Sequence, residues 1–119
     1  MVNARFEKRA RLSTKADFQN VFAQPVKSGD PYLTVLARRN KLGFPRLGLA
    51  ISRKSAKTAV ARNRIKRVIR ESFRHHQHEL GGADYVVIGR ASLSGYGNAI
   101  FNDSLKRHWV RLAKRCANS

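Results

Sequence analysis

The chain has 119 residues, 25 of them lysine or arginine and seven aspartate or glutamate, for a formal net charge of +18 at pH 7. That length suits one domain spanning 1–119 with a modest core and leaves no room for a second folded unit. Seven scattered carboxylates exclude the acid cluster with which a protein nuclease holds hard metal ions, the single Cys116 excludes an internal disulfide and a cysteine-based zinc site, and no run reaches the roughly 18 apolar residues of a membrane-spanning helix.

Residues 1–12 read as a basic arm, carrying Arg5, Lys8, Arg9 and Arg11, that orders on a partner. It lacks the apolar centre of a secretory signal, so a cytoplasmic location is expected. Thr14-Lys15-Ala16-Asp17 offers a capping-box-like start to a helix over 14–23, in which Phe18, Val21 and Phe22 recur at helical spacing and which Pro25 stops. From periodicity alone, Phe18 and Phe22 are core residues. A short extra edge strand fits 26–28. Residues 32–38 are β-prone, and across 46–52 Leu47, Leu49 and Ile51 alternate with Gly48, Ala50 and Ser52. The turn-forming 40–45 between them predicts a hairpin.

A second helix over 56–78 follows, closed by Gly81-Gly82. On its wheel Ala61, Ile65, Val68, Ile69 and Ser72 share one sector, and Asn63, Lys66, Arg67, Arg70 and Arg74 lie opposite. From Arg53 to Arg74 there are nine lysines or arginines and one acid, Glu71, so the helix lacks the charges to neutralise itself and a polyanion is its natural partner. The run 84–90, with Tyr85-Val86-Val87-Ile88, reads as a buried strand, which makes a β-α-β unit with parallel strands. Asn98 is placed to cap a last helix whose Phe101, Leu105, Trp109, Leu112 and Cys116 form one stripe. The order α-β-β-α-β-α predicts an α/β (α+β) two-layer sandwich.

Catalytic chemistry has little to stand on. Glu7, Asp17, Asp30, Glu71, Glu79, Asp84 and Asp103 are dispersed, and Ser52, Ser55, Ser92 and Ser94 accompany no base or oxyanion arrangement. His75 and His78 can share a helical face with Glu79, but His75, His76 and His78 are equally a solvated, partly cationic helix C-terminus, the preferred reading. No P-loop or dinucleotide glycine fingerprint occurs. What the residues offer is phosphate binding by Arg and Lys and base stacking on aromatic rings, which points to RNA.

The run Ala61-Arg62-Asn63-Arg64-Ile65-Lys66-Arg67-Val68-Ile69-Arg70-Glu71, preceded by Arg46-Leu47-Gly48-Leu49-Ala50-Ile51-Ser52-Arg53-Lys54, closely resembles the bacterial ribonuclease P protein components. The likeness extends in order to Arg11-Leu12, to Asp17-Phe18-Gln19-Asn20-Val21-Phe22 and to Asp84-Tyr85-Val86-Val87-Ile88. It implies an endoribonuclease holoenzyme, ribonuclease P, that removes the 5′ leader of precursor tRNA. In it a catalytic RNA supplies the Mg²⁺-dependent active site and the small subunit assists, with no catalytic residue, organic cofactor, membrane or obligate protein partner of its own. The resemblance assigns Arg53, Lys54, Arg62, Asn63, Arg64, Lys66, Arg67 and Arg70 to the catalytic RNA and the cleavage-site region. It turns Phe18 and Phe22 into partly exposed stacking positions of a leader-binding cleft, completed by a strand residue such as Thr34 or Leu36. It also implies a left-handed β-α-β crossover, against the general rule. The alternative is a ribosomal-type or RNA-chaperone protein without a nuclease role. A DNA-binding module would need a helix-turn-helix or dimer seam, and a protein-only nuclease the missing carboxylate cluster.

Overall fold

In the computed structural model, residues 10–117 are described. Thr14 opens α1 (Lys15–Ala23) with a complete capping box: its hydroxyl accepts from the Asp17 amide at 3.1 Å, and the Asp17 carboxylate accepts from the Thr14 amide at 3.4 Å. The chain continues through β1 (Val26–Gly29), β2 (Leu33–Arg39), β3 (Arg46–Ala50), α2 (Ala59–Leu80), β4 (Ala83–Gly89) and α3 (Asn98–Ala117). Thr58 caps α2 by accepting from the Ala61 amide at 3.1 Å, and Gly81, at φ 64°, ends it. The basic arm falls almost wholly outside the described residues; of it, Leu12 donates its amide to the Leu47 carbonyl at 2.9 Å, against β3.

The predicted hairpin does not form. The sheet order is β1-β2-β4-β3, with β4 antiparallel to β2 and parallel to β3. Five consecutive residues of β4, Ala83 to Val87, are buried, and only a central strand has both faces covered. A β2–β3 hairpin would have put that run at an edge. The 40–45 turn instead crosses the end of β4, two strand spacings or roughly 10 Å. Asn40 anchors it, donating its backbone amide to the Gly82 carbonyl at 3.0 Å and its side-chain amide to Asp84 Oδ1 at 2.8 Å and the Phe44 carbonyl at 3.0 Å. The parallel β3-α2-β4 unit is as the sequence predicts.

Alternation along the strands divides the sheet. Leu33, Val35 and Ala37 of β2, Tyr85 and Val87 of β4 and Leu47 of β3 join Ile65, Val68, Ile69 and Phe73 of α2 and the fully buried Phe101, Leu105, Trp109 and Leu112 of α3 in the main core. Trp109 stands edge-on to Phe73 and Tyr85, with centroids 6.0 and 5.6 Å away, and its indole N–H donates to Ser72 Oγ at 2.9 Å, which accounts for a serine on the apolar face of α2. Cys116 closes the stripe, and burial pushes its thiol pKa up, as for a packing residue. Asn98 departs from its expected capping role: it is the first residue of α3, and its side-chain carbonyl accepts from Arg64. On the other sheet face, Leu36 and Val86 pack with Leu12 and Val21 beneath α1, flanked by Phe18 and Ile88. No helix among the described residues is long and apolar enough to cross a membrane.

Candidate nucleic-acid interface

On α1 the inward position falls to Val21, which is fully buried, and the two aromatics flank it. Phe18 is half-buried and Phe22 is 47% exposed; their rings stack at 6.4 Å with 30° between planes. The reading as core from periodicity is thereby corrected for Phe22, while Phe18 packs on the apolar floor under α1 and keeps part of its ring open. Phe18 lies on the sheet because residue 48 is glycine: a Cβ there would stand 2.7 Å from Phe18 Cζ. Leu36, expected to line the cleft, is only 6% exposed because it carries the apolar floor under α1. Thr34 is half-open, and in register beside it come Ile88 and then Ala50, all on the face that α1 leaves partly uncovered. Ile88 and Ala50 were missed by sequence reasoning, although the alternation of β4 already set Ile88 opposite Val87.

Arg46 and Arg38, also missed, hold α1 in place. Arg46 makes a two-pronged bond to the buried Asp84, Nε to Oδ1 at 2.8 Å and Nη2 to Oδ2 at 2.7 Å, and its other terminal nitrogen lies 3.7 Å from Asp17. Arg38 donates to the Asn20 carbonyl. Against the cost of desolvation, hydrogen bonds from Thr14 and the Arg46 charge keep the Asp17 carboxyl below the usual carboxylate range.

A groove of about 180 Å³ joins this aromatic site to α2, with Arg11, Leu12, Phe18, Gly48, Lys66 and Arg70 on its walls. Its floor is the edge of β3, and the two cations stand one helical turn apart. Asn63 and Arg67 are exposed on α2. Arg53 and Lys54 lie elsewhere, in a basic pocket of about 410 Å³ shared with Lys57, Ser92 and Ser94 at the N-terminus of α2. The other two expected RNA ligands turn inward. Arg62 donates to the Ala56 and Lys57 carbonyls at 3.0 and 2.9 Å, and Arg64 to Asn98 Oδ1 at 2.8 Å and the Tyr96 carbonyl at 3.0 Å.

The carboxylates are employed one by one. Asp17 caps α1, Asp84 holds Arg46, Glu71 binds Arg74 at 2.8 Å, and Asp30 accepts from the Tyr32 and Leu33 amides at 2.8 Å each. His75 and His78 do not converge on Glu79: His75 sits 3.5 Å from Glu71 and His78 3.5 Å from Glu79, while His76 Nδ1 is bonded to the Ser72 carbonyl at 2.7 Å. Among the described residues no three His, Cys, Asp or Glu side chains are grouped to hold a metal ion.

The Ribonuclease P family model matches residues 6–113 of the chain. The ribonuclease P protein component of Methylococcus capsulatus is 47% identical over 114 residues, covering 96% of this chain and 89% of that one. Among solved structures, the RNase P protein of Staphylococcus aureus is similar with a TM-score of 0.79 at 32% identity, covering 88% of this chain and 95% of that chain. The RNase P protein of Thermotoga maritima, solved in complex with 1-(4-fluorophenyl)-2-thiourea, is similar with a TM-score of 0.78 at 33% identity, covering 85% and 98%.

Proposed function

This chain belongs to the ribonuclease P family as the protein subunit of that endoribonuclease, and we propose that it holds two RNAs at once: the single-stranded 5′ leader of precursor tRNA over Phe18 and Phe22, and the catalytic RNA along α2 and the 53–54 segment. The observation that carries this reading is the groove in which Phe18 shares walls with Lys66 and Arg70. A ring on which a base can stack, beside two cations for the flanking phosphates, is what a sequence-tolerant single-strand site requires.

Mature tRNA has no leader, so stacking on Phe18 and Phe22 favours precursor over product. Fixed positive charge on the solvent side of α2, from Lys66, Arg67 and Arg70, lowers the repulsion between closely packed RNA phosphates and with it the Mg²⁺ the RNA requires. Among the described residues the carboxylates are not grouped to hold a Mg²⁺ ion, so we assign that ion to the RNA and route no step through the polypeptide. The setting is cytoplasmic, with the catalytic RNA and the leader as partners.

The test is cleavage of a labelled precursor tRNA at low Mg²⁺ by protein alone, by a bacterial ribonuclease P RNA alone, and by the two together across a salt series. Correct 5′ maturation in the mixture, with KM for the precursor rising when the leader is shortened to one nucleotide, is the expected result. An enhancement indifferent to leader length would overturn the leader-binding reading.

A further inference from the structure

We infer that Arg64 is a positioning residue: it clamps the 92–97 loop onto α2 and thereby builds one wall of the Arg53–Lys54 pocket, instead of meeting an RNA phosphate itself. The inference rests on the proposal that this pocket binds RNA.

A guanidinium has five N–H donors in a planar fork. In Arg64, Nη1 donates to Asn98 Oδ1 at 2.8 Å, while Nη2 donates to the Tyr96 carbonyl at 3.0 Å and the Ser94 carbonyl at 3.4 Å. Its Cζ lies 5.9 Å above the ring of the fully buried Phe101. Three of the five donors are thereby committed to the 94–98 segment, so the fork is oriented by the protein and a phosphate could take no two-pronged contact with Nη2 without displacing loop carbonyls.

The other end of the same loop grips the pocket. Ser92 donates its amide to the Lys54 carbonyl at 2.9 Å and Leu93 to the Ser55 carbonyl at 2.7 Å, and the Leu93 side chain is fully buried. Between the two ends Tyr96 stands edge-on to Tyr32, with centroids 4.9 Å apart. The loop is thus pinned to 54–55 at its start and to Arg64 at its end, with Ser92 and Ser94 facing the pocket that holds Arg53 and Lys54. Position 64 carries the pocket's shape through backbone and needs no RNA contact of its own.

Arg64→Lys keeps the charge and loses the fork, which makes it the informative variant. Affinity for a bacterial ribonuclease P RNA is measured for wild type, Arg64→Lys, Lys54→Ala and the double variant, with Asn98→Ala as a second, charge-neutral way to loosen the clamp. Amide hydrogen exchange at Ser92 and Leu93 is followed in each. The expected result is a loss of about tenfold for Arg64→Lys, a smaller loss for Asn98→Ala, faster exchange at both amides, and little further loss when Arg64→Lys is added to Lys54→Ala. Near-wild-type affinity in Arg64→Lys, or losses that add fully in the double variant, would overturn the clamp and return Arg64 to direct phosphate binding. Unchanged affinity in Lys54→Ala would instead overturn the reading of the pocket as an RNA site, a separate failure.

Discussion

Phe18 and Gly48 compete for one volume: the ring occupies the place a Cβ on residue 48 would need, at 2.7 Å from Cζ and 2.8 Å from Cε1. The seat of the Phe18 ring is therefore set by a residue with no side chain on a neighbouring strand. Gly48→Ala is expected to push Phe18 off the sheet, costing about 1–3 kcal/mol of stability through overpacking. If Phe18 holds the leader as proposed, precursor tRNA affinity falls while affinity for the catalytic RNA, proposed to lie along α2, holds. Urea denaturation and binding titrations measure the two effects, and an unchanged precursor affinity would remove Phe18 from the site.

Phe22 and Leu36 separate binding from folding. Phe22 is half in solvent and Leu36 lies beneath α1. Phe22→Ala should cost about 1–3 kcal/mol in leader binding, with little dependence on salt. Leu36→Ala should cost about 2–5 kcal/mol of folding stability. The reverse pattern, with Phe22→Ala unfolding the protein and leaving leader binding intact, would return Phe22 to the core.

The pair Arg46–Asp84 locks α1, β3 and the 40–45 turn to the centre of the sheet. Asp84→Asn keeps the shape and strands the Arg46 charge, and should cost about 3 kcal/mol, at the low end for a buried pair because Arg46 keeps some solvent contact. Replacing both partners with apolar residues of similar volume should cost less than Asp84→Asn alone. Equal losses by chemical denaturation would show that the pair itself is not what matters.

His108 supplies a pH dependence whose sign follows from its neighbours. It is buried, with Nδ1 2.7 Å from Ser28 Oγ, and that hydroxyl already accepts from Arg111 at 2.8 Å. On the other side of the ring, Nε2 lies 3.1 Å from Asp30 Oδ2. Burial pushes the His108 pKa below its ordinary 6.5, the Asp30 carboxylate opposes this, and Arg111 and Arg107 add to it. Below pH 6.5 the unfolded chain takes up a proton that the folded protein refuses, so stability falls as pH drops from 6.5 toward the lowered folded value, by at most about 1.4 kcal/mol per pH unit. Asp30, whose pKa is also lowered despite its desolvation, through its bond from Ser104 and the 32–33 amides, adds its own loss only below 3.8. Urea midpoints from pH 7 to about pH 5 should decline for wild type and more weakly for His108→Leu. Parallel curves for the two would exclude His108 as the source.

Local chemistry made much of this protein legible from its sequence. Thr14 and Asp17 specify a helix start through their own amides, the α2 wheel separates Ile65 and Ile69 from Lys66 and Arg70 at fixed angles, and the ordered motifs that carry the family likeness need no structure to be read. What escaped was the pairing of segments distant in sequence. Asn40 to Pro45 has the composition of a hairpin turn, yet the gain from burying both faces of β4 outweighs the short connection and parts β2 from β3. The same insertion sets Ile88 beside Thr34, leaves Leu36 as floor, and gives Phe18 its seat over Gly48. Whether an arginine of α2 faces RNA or its own protein depends on which carbonyls arrive beside it: those of 94 and 96 reach Arg64, while Lys66 and Arg70 meet the open groove. Periodicity and capping are properties of neighbours along the chain, whereas these contacts exist only once the sheet order has brought distant residues together.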